Sequence, residues 1–317
     1  MTWRQVQQKL RQEASALLSQ GRVDLVIGYG QGSLQYGTTP LLLRQPADVE
    51  RLVASPFISH NLSRYLTEVK GRVGVVAKGC DSRSIVSLIQ DNRVKRQDVF
   101  ILGVPCSGQV DMRKVEALSG HERDQIRGIE LADGKAVIRL EGGEKEFPLA
   151  EVLYDSCREC ELPTPKEYDV LLGEPVAAQP RANSGPDISV MTTDERWRFW
   201  QKEFSRCIRC YACRAVCPAC SCKRCFVEEN EPQWLLPVPA WQDNLFFQLT
   251  RQLHIAGRCS DCGACERACP MGIPLRRLAK GMTDIVDETF SFKAGMNTGD
   301  TPLLAAYEKE EAAGLIR

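Results

Sequence analysis

The chain has only three histidines, His60, His121 and His254, so acid–base catalysis has few candidates, and each reads as structural. No Ser–His–Asp arrangement, phosphate-binding loop or paired-carboxylate site stands out. Lysine plus arginine balances aspartate plus glutamate, 41 against 41, so no excess of one sign marks a nucleic-acid surface. No stretch approaches the roughly 20 apolar residues of a bilayer span. The start, Met1-Thr2-Trp3-Arg4-Gln5-Val6, opens an amphipathic helix and lacks the apolar core of an export signal. What the chain has in excess is cysteine. Fifteen of them without an export signal argue for metal ligation in a reducing, cytoplasmic setting, not for disulfides.

Eight of the fifteen form a doubled pattern. Cys207-x2-Cys210-x2-Cys213-x3-Cys217-Pro218 returns as Cys259-x2-Cys262-x2-Cys265-x3-Cys269-Pro270. This is the ligand run of a two-cluster bacterial-type ferredoxin, and the expected function is electron transfer. Three closely spaced thiolates hold three irons of one [4Fe–4S] cube, and the fourth cysteine, ahead of proline, ligates the other cube. The rule predicts one set of Cys207, Cys210, Cys213 and Cys269 and another of Cys259, Cys262, Cys265 and Cys217. Zinc sites, the competing reading, usually pair two Cys-x2-Cys hooks.

The remaining segments suggest two domains, divided near residue 180. Trp3, Val6, Leu10, Leu17 and Leu18 recur at helical spacing and Gly21 closes that helix. Val23–Ile27 reads as a buried strand. Residues 72–77, 84–89 and 98–104 read as strand, helix and strand, a βαβ unit with parallel strands. Residues 127–148 alternate and are broken by Ala132-Asp133-Gly134 and Glu141-Gly142-Gly143, which predicts an antiparallel ribbon attached to the sheet. Gly28-Tyr29-Gly30-Gln31-Gly32-Ser33 reads as a plain turn, because Ser33 replaces the third glycine of a dinucleotide fingerprint. From Gly173 to about Ser189 the composition is that of a linker. Thr192 and Glu195 then form a capping box for a helix that leads into Cys207. Residues 241–253 and 275–280 are further helix candidates. The expected fold is an α/β N-terminal domain (1–180) with a partly parallel sheet, plus a mainly α-helical dicluster ferredoxin domain (181–317). The tail from Phe290 reads equally as a strap onto a partner and as a frayed end.

Four scattered cysteines point to a third cluster. Cys80 and Cys106 each follow a strand of the βαβ unit, so both belong to one sheet edge, where open α/β sheets bind their ligands. Cys157-x2-Cys160 adds two thiols on a tight turn, completing four. Inert core cysteines, a zinc hook and a redox pair are the other readings of these residues.

Lys78-Gly79-Cys80-Asp81, Val104-Pro105-Cys106, Cys157-Arg158-Glu159-Cys160 and Tyr168-Asp169-Val170-Leu171-Leu172-Gly173 occur in that order. Together they resemble the beta subunits of deazaflavin-dependent hydrogenases and formate dehydrogenases. That resemblance spans roughly residues 20–175. It implies an α/β domain with an iron–sulfur cluster, usually FAD, and electron exchange with a deazaflavin or with partner subunits. FAD is left open and is not an expectation, because the family's glycine-rich opening segment has no match here. His254–Cys259 and Cys269–Pro274 resemble the helical dicluster ferredoxin module found in the C-type subunits of heterodisulfide reductase, a relay without a substrate of its own.

Cys220, Cys222 and Cys225 exceed what a dicluster ferredoxin needs. They read as ligands of a further metal site, as replacements for Cys217, or as free thiols. The expected whole is an electron-transfer subunit of an anaerobic oxidoreductase complex with at least three [4Fe–4S] clusters. It would lie between a flavoprotein of the heterodisulfide reductase A type and a catalytic subunit such as a formate dehydrogenase or hydrogenase. One competing reading is a flavin-containing reductase of a deazaflavin or similar carrier. Another is a zinc-containing scaffold that docks a dicluster ferredoxin.

Overall fold

The computed structural model describes residues 2–178 and 188–306. The 180 boundary, the middle of the predicted linker and the last residues of the tail, 307–317, lie outside them. The chain divides into two compact units. The first comprises Met1–Leu62, Lys70–Gly79 and Gln97–Gly185; the second comprises Ser63–Val69, Cys80–Arg96 and Pro186–Arg317.

In the first unit, α1 (Trp3–Ser19) buries Val6, Leu10, Ala14 and Leu17, the face its spacing predicts. Thr2 and Gln5 cap it reciprocally, and Gly21 follows with a left-handed φ of +61°. A five-stranded sheet runs in the order β2-β1-β3-β4-β8. Its strands are β1 (Leu25–Gln31), β2 (Thr38–Leu43), β3 (Val73–Ala77), β4 (Val99–Gly103) and β8 (Val170–Leu171). Only β1–β2 is antiparallel; β1–β3, β3–β4 and β4–β8 are parallel. Every residue of β3 is buried, as befits a central strand covered on both faces. The predicted βαβ unit is present, its helix α2 (Gly79–Gln90) starting immediately after β3.

Two sequence expectations change. Gly28 and Gly30 lie within β1 rather than in a turn. Leu52 packs so close to Gly28 that an added Cβ would come within 2.4 Å of its Cδ2, so this glycine makes room for packing. The ribbon β5 (Ile126–Ala132), β6 (Lys135–Leu140) and β7 (Gly143–Pro148) is antiparallel as predicted, but it forms its own three-stranded sheet. Its apolar face closes over a small core of its own. Val110, Met112 and Val115 of and beside α3 (Met112–Ser119), with Val152 of α4 (Leu149–Val152) and Leu153, close that small core.

The second unit is helical. α6 (Thr193–Ser205) begins at the predicted capping box, with Thr192 and Glu195 bonded reciprocally. It leads through Phe204 and Arg206 into Cys207. Short helices α7 (Ala212–Ala215) and α9 (Ala264–Arg267) follow the second cysteine of each motif. Between them runs α8 (Trp241–Ile255), and α10 (Leu275–Phe290) closes the unit. Trp200, Phe204, Phe247, Ile273 and Leu275 form its core, with Trp200 stacked on Phe204 at 5.3 Å. Residues 80–96 are tied into this unit. The hydroxyls of Ser84 and Ser260 lie 2.7 Å apart, Arg83 donates to the Ala294 carbonyl at 2.9 Å, and Arg258 pairs with Asp91 at 2.7 Å.

Candidate metal centres

The two cysteine motifs fold alike. In the first, Arg209 and Tyr211 adopt left-handed φ values of 50° and 59°; in the second, Asp261 and Gly263 do so at 54° and 70°. These pairs occupy the same places, one before and one after the second cysteine. The alternation turns successive cysteines toward one side before the short helix begins.

Two recesses result. One, of about 330 Å³, is lined by Cys207, Cys210, Cys213 and Cys269 together with Arg209, Gln248 and Met271. The other, of about 390 Å³, is lined by Cys217, Cys259, Cys262 and Cys265 together with Arg251, Asp261 and Arg276. The last cysteine of each motif therefore sits with the first three of the other, which is the crossed grouping the sequence rule predicts.

Electrostatics follow the same grouping. Burial pushes the Cys207 thiol up, and Cys213, Cys269 and Cys210 add to it. Burial also raises the Cys259 thiol, with Asp261, Cys217 and Cys262 contributing. Cys265 is pushed up to about 12 by burial; nearby Arg251 opposes this while Cys217, Cys262 and Cys213 reinforce it. Four thiols crowded into one partly buried recess resist ionising together unless positive charge lies among them, and coordinated iron would be such a charge. The four cysteine sulfurs that each recess offers fit an iron–sulfur cube.

Each motif is also pinned by an ion pair from its left-handed residue. Arg209, nearly fully buried, pairs with Asp243 of α8 at 3.4 Å. At the matching position Asp261 receives the buried Arg276 of α10 through two bonds, Nε at 2.7 Å and Nη2 at 2.5 Å. The charges are exchanged between the two sites. Replacing Arg276 by alanine is expected to leave Asp261 uncompensated beside Cys259 and to cost about 3 kcal/mol. A thermal melt checks it: R276A should melt lower, and R276A/D261A should recover part of the loss. An R276A melt identical to wild type would show that the pair holds nothing together.

In the first unit, Cys106, one of the four cysteines assigned to a third site, follows β4 at the sheet edge where β3 also ends. Ala77 of β3 pairs in register with Gly103 of β4, so both strands end together. The Cys106 amide donates to the Pro163 carbonyl at 2.9 Å, and the Leu162 carbonyl lies hard against Gly79. The segment after Cys160 thus crosses the ends of both strands. Cys157 lies in α5 (Asp155–Arg158), whose start is held by Lys114 bonding Asp155 and the Leu153 carbonyl, each at 2.7 Å. Burial raises the Cys106 thiol and neighbouring Cys157 adds to it; Gln109, donating to Cys106 Sγ at 3.1 Å, and the Lys78 ammonium act in the opposite direction. Cys80 is bonded directly to Gly79 and opens α2.

Of the surplus cysteines, Cys220 lies against Cys217 and donates its S–H, which lowers the Cys217 thiol and raises its own. Cys225 is near Tyr211 and Arg214, and Cys222 is exposed. Among the described residues, no three His, Cys, Asp or Glu side chains converge on a point where one metal ion could bind.

Two side chains that the sequence reading did not single out, Gln248 and Arg251, line the recesses. Gln248, Arg251 and Gln252 all lie on the buried face of α8. Their i, i+3, i+4 spacing was visible, but nothing in it says that a polar stripe faces inward.

Comparison with known proteins agrees with this geometry. Residues 70–197 match the model for the C terminus of the coenzyme F420 hydrogenase/dehydrogenase beta subunit, and residues 203–273 match a 4Fe-4S dicluster domain. The likeness runs through both halves. The F420-dependent formate dehydrogenase subunit beta of Methanocaldococcus jannaschii is 24% identical over 90% of this chain and 91% of its own. The F420-dependent formate dehydrogenase 1 subunit beta of Methanococcus maripaludis is 22% identical over 91% of this chain and 90% of its own. Among solved structures, a chain of the F420-reducing [NiFe] hydrogenase complex from Methanosarcina barkeri aligns with a TM-score of 0.38 at 18% identity. That alignment covers 50% of this chain and 62% of the other. The chain resembles these beta subunits along nearly its whole length, and its second cysteine-rich part is similar to 4Fe-4S dicluster domains. No helix among the described residues is long and apolar enough to cross a membrane.

Proposed function

We propose that this protein is the electron-transfer subunit of an oxidoreductase complex related to the F420-dependent formate dehydrogenases and hydrogenases, holding three [4Fe–4S] clusters. The observation that carries this reading is the crossed arrangement of eight thiols in two adjacent recesses. Bound cubes would supply one-electron transfer; the protein's share is thiolate geometry, charge and the exclusion of water. Cys207, Cys210, Cys213 and Cys269 are assigned to one cube and Cys259, Cys262, Cys265 and Cys217 to a second. Cys80, Cys106, Cys157 and Cys160 are assigned to a third, supported by the sheet-edge position of Gly79, Cys106 and the 157–163 segment.

A catalytic subunit of the formate dehydrogenase or hydrogenase type is the partner that the beta-subunit relatives suggest. A flavoprotein of the heterodisulfide reductase A type is the partner that the dicluster resemblance suggests. The cytoplasm is the compartment in which fifteen cysteines would remain free for metal.

The test is iron and acid-labile sulfide per chain on protein purified without oxygen. About twelve of each is the expected result. About eight would remove the third cluster from the reading, and fewer than about eight would remove the dicluster assignment itself.

A further inference from the structure

Helix α8 buries a polar stripe beside its apolar Phe247 and Ile255. Its buried face carries Asn244, Gln248, Arg251 and Gln252, each at most 3% exposed, while Phe246, Leu249 and Leu253 on the other face are 44%, 44% and 59% exposed. Apolar burial drives most helix packing, so a helix that hides amides and a guanidinium needs a specific polar partner inside.

The described residues supply it only in part: Asn244 Nδ2 donates to the Phe204 and Cys207 carbonyls at 3.0 and 2.8 Å. Ten buried side-chain nitrogen or oxygen atoms lack a hydrogen-bond partner among the described residues, and six belong to this one face. They are Asn244 Oδ1, Gln248 Oε1, both amide atoms of Gln252, and Nε and Nη1 of Arg251. A buried unpaired amide costs about 1–3 kcal/mol and an unpaired charge more, so a stripe of them is not retained for stability. The polar stripe lies where the two recesses meet. Gln248 lines the first recess, and its Nε2 lies 3.7 Å from Cys213 Sγ. One turn further, Arg251 lines the second.

Arg251 is the cation of this stripe. Its Nη2 bonds the Cys213 carbonyl at 3.4 Å, and the charges acting on it most strongly come from Cys217, Cys265, Cys220 and Cys213. Two of those sulfurs belong to the second recess and one to the first. A cube held by four thiolates is anionic and becomes more so on reduction, so a buried cation beside it favours the reduced form. Water cannot screen a charge placed this deeply.

We propose that Arg251 is a counter-charge shared by both dicluster cubes, its unpaired N–H groups donating to cluster or thiolate sulfur, and that it raises both reduction potentials. It acts on the clusters as a positioning and tuning residue, and Gln248, against Cys213 Sγ, is a sulfur-facing amide beside it. The inference rests on the dicluster assignment above.

An EPR-monitored redox titration of the full-length chain, purified without oxygen, tests it. Arg251→Met is expected to shift both midpoints to more negative potential, with the larger shift at the centre of the second recess, where Arg251 is a lining residue. Arg251→Lys keeps the charge but loses the planar donor set, and its midpoints should fall between those of R251M and wild type. An R251M protein that loads its full iron and titrates at wild-type potentials overturns the proposal. Should R251M lose iron, R251K decides: loaded and shifted negative supports the proposal, loaded and unshifted overturns it. Wild-type protein holding fewer than about eight irons is a different failure, since it removes the clusters themselves and not the role of Arg251.

Discussion

Replacing Cys269 with alanine is expected to remove about four irons per chain, and the centre that disappears is the one held by Cys207, Cys210 and Cys213, more than forty residues upstream. The reason lies in the recess that these four thiols share. Cys269 is the better site for this experiment than its counterpart Cys217, which has Cys220 against it as a substitute thiol. Double variants decide the crossing. If Cys207 and Cys269 hold the same cube, C207A/C269A should lose no more iron than either single variant. C259A/C269A strikes both cubes and should lose about eight. The reverse pattern, with C259A/C269A no worse than C269A alone, would falsify the crossed assignment.

Changing Gly79 to alanine is expected to cost the third cluster while leaving the other two. A Cβ at this position would lie 1.8 Å from the Leu162 carbonyl oxygen, 2.9 Å from its carbon and 3.4 Å from the Thr164 oxygen. All three are backbone atoms, so no rotamer change relieves the clash. The segment following Cys160 has to lift away from the sheet edge. Overpacking of this kind costs about 3 kcal/mol, more where backbone must move. G79A should melt lower and fall from about twelve irons to about eight, with the dicluster EPR signals intact. Full iron with an unchanged melt would mean that residues 160–164 do not lie over Gly79 in solution.

Particular elements show how far the sequence could be read. The helix over residues 3–19, the parallel β3-α2-β4 unit and the Thr192 capping box each depend on neighbours close in sequence, so periodicity and cap chemistry were enough to find them. The ribbon's strands were legible from their turns, but its separation from the main sheet was not. Nothing in those turns shows that Val110, Met112, Val115, Val152 and Leu153 arrive from elsewhere to cover the ribbon. Gly28 and Gly30 looked like turn glycines because sequence cannot show that Leu52 packs over β1 at Gly28.

The candidate site divides in the same way. The cysteine spacing alone predicts which thiols belong together, because a cube needs three thiolates within a few residues and a fourth from outside that run, and the two recess linings follow the same grouping. The same spacing said nothing of Arg251. Along α8 the sequence shows two faces, one with Phe246, Leu249 and Leu253 and one with Gln248, Arg251 and Gln252, and hydrophobicity would turn the first toward the core. Only the tertiary structure decided the opposite. The interior that α8 meets holds two thiol-lined recesses beside the apolar core around Phe247, and thiolate sulfur with a bound metal would call for donors and a cation instead of leucine side chains.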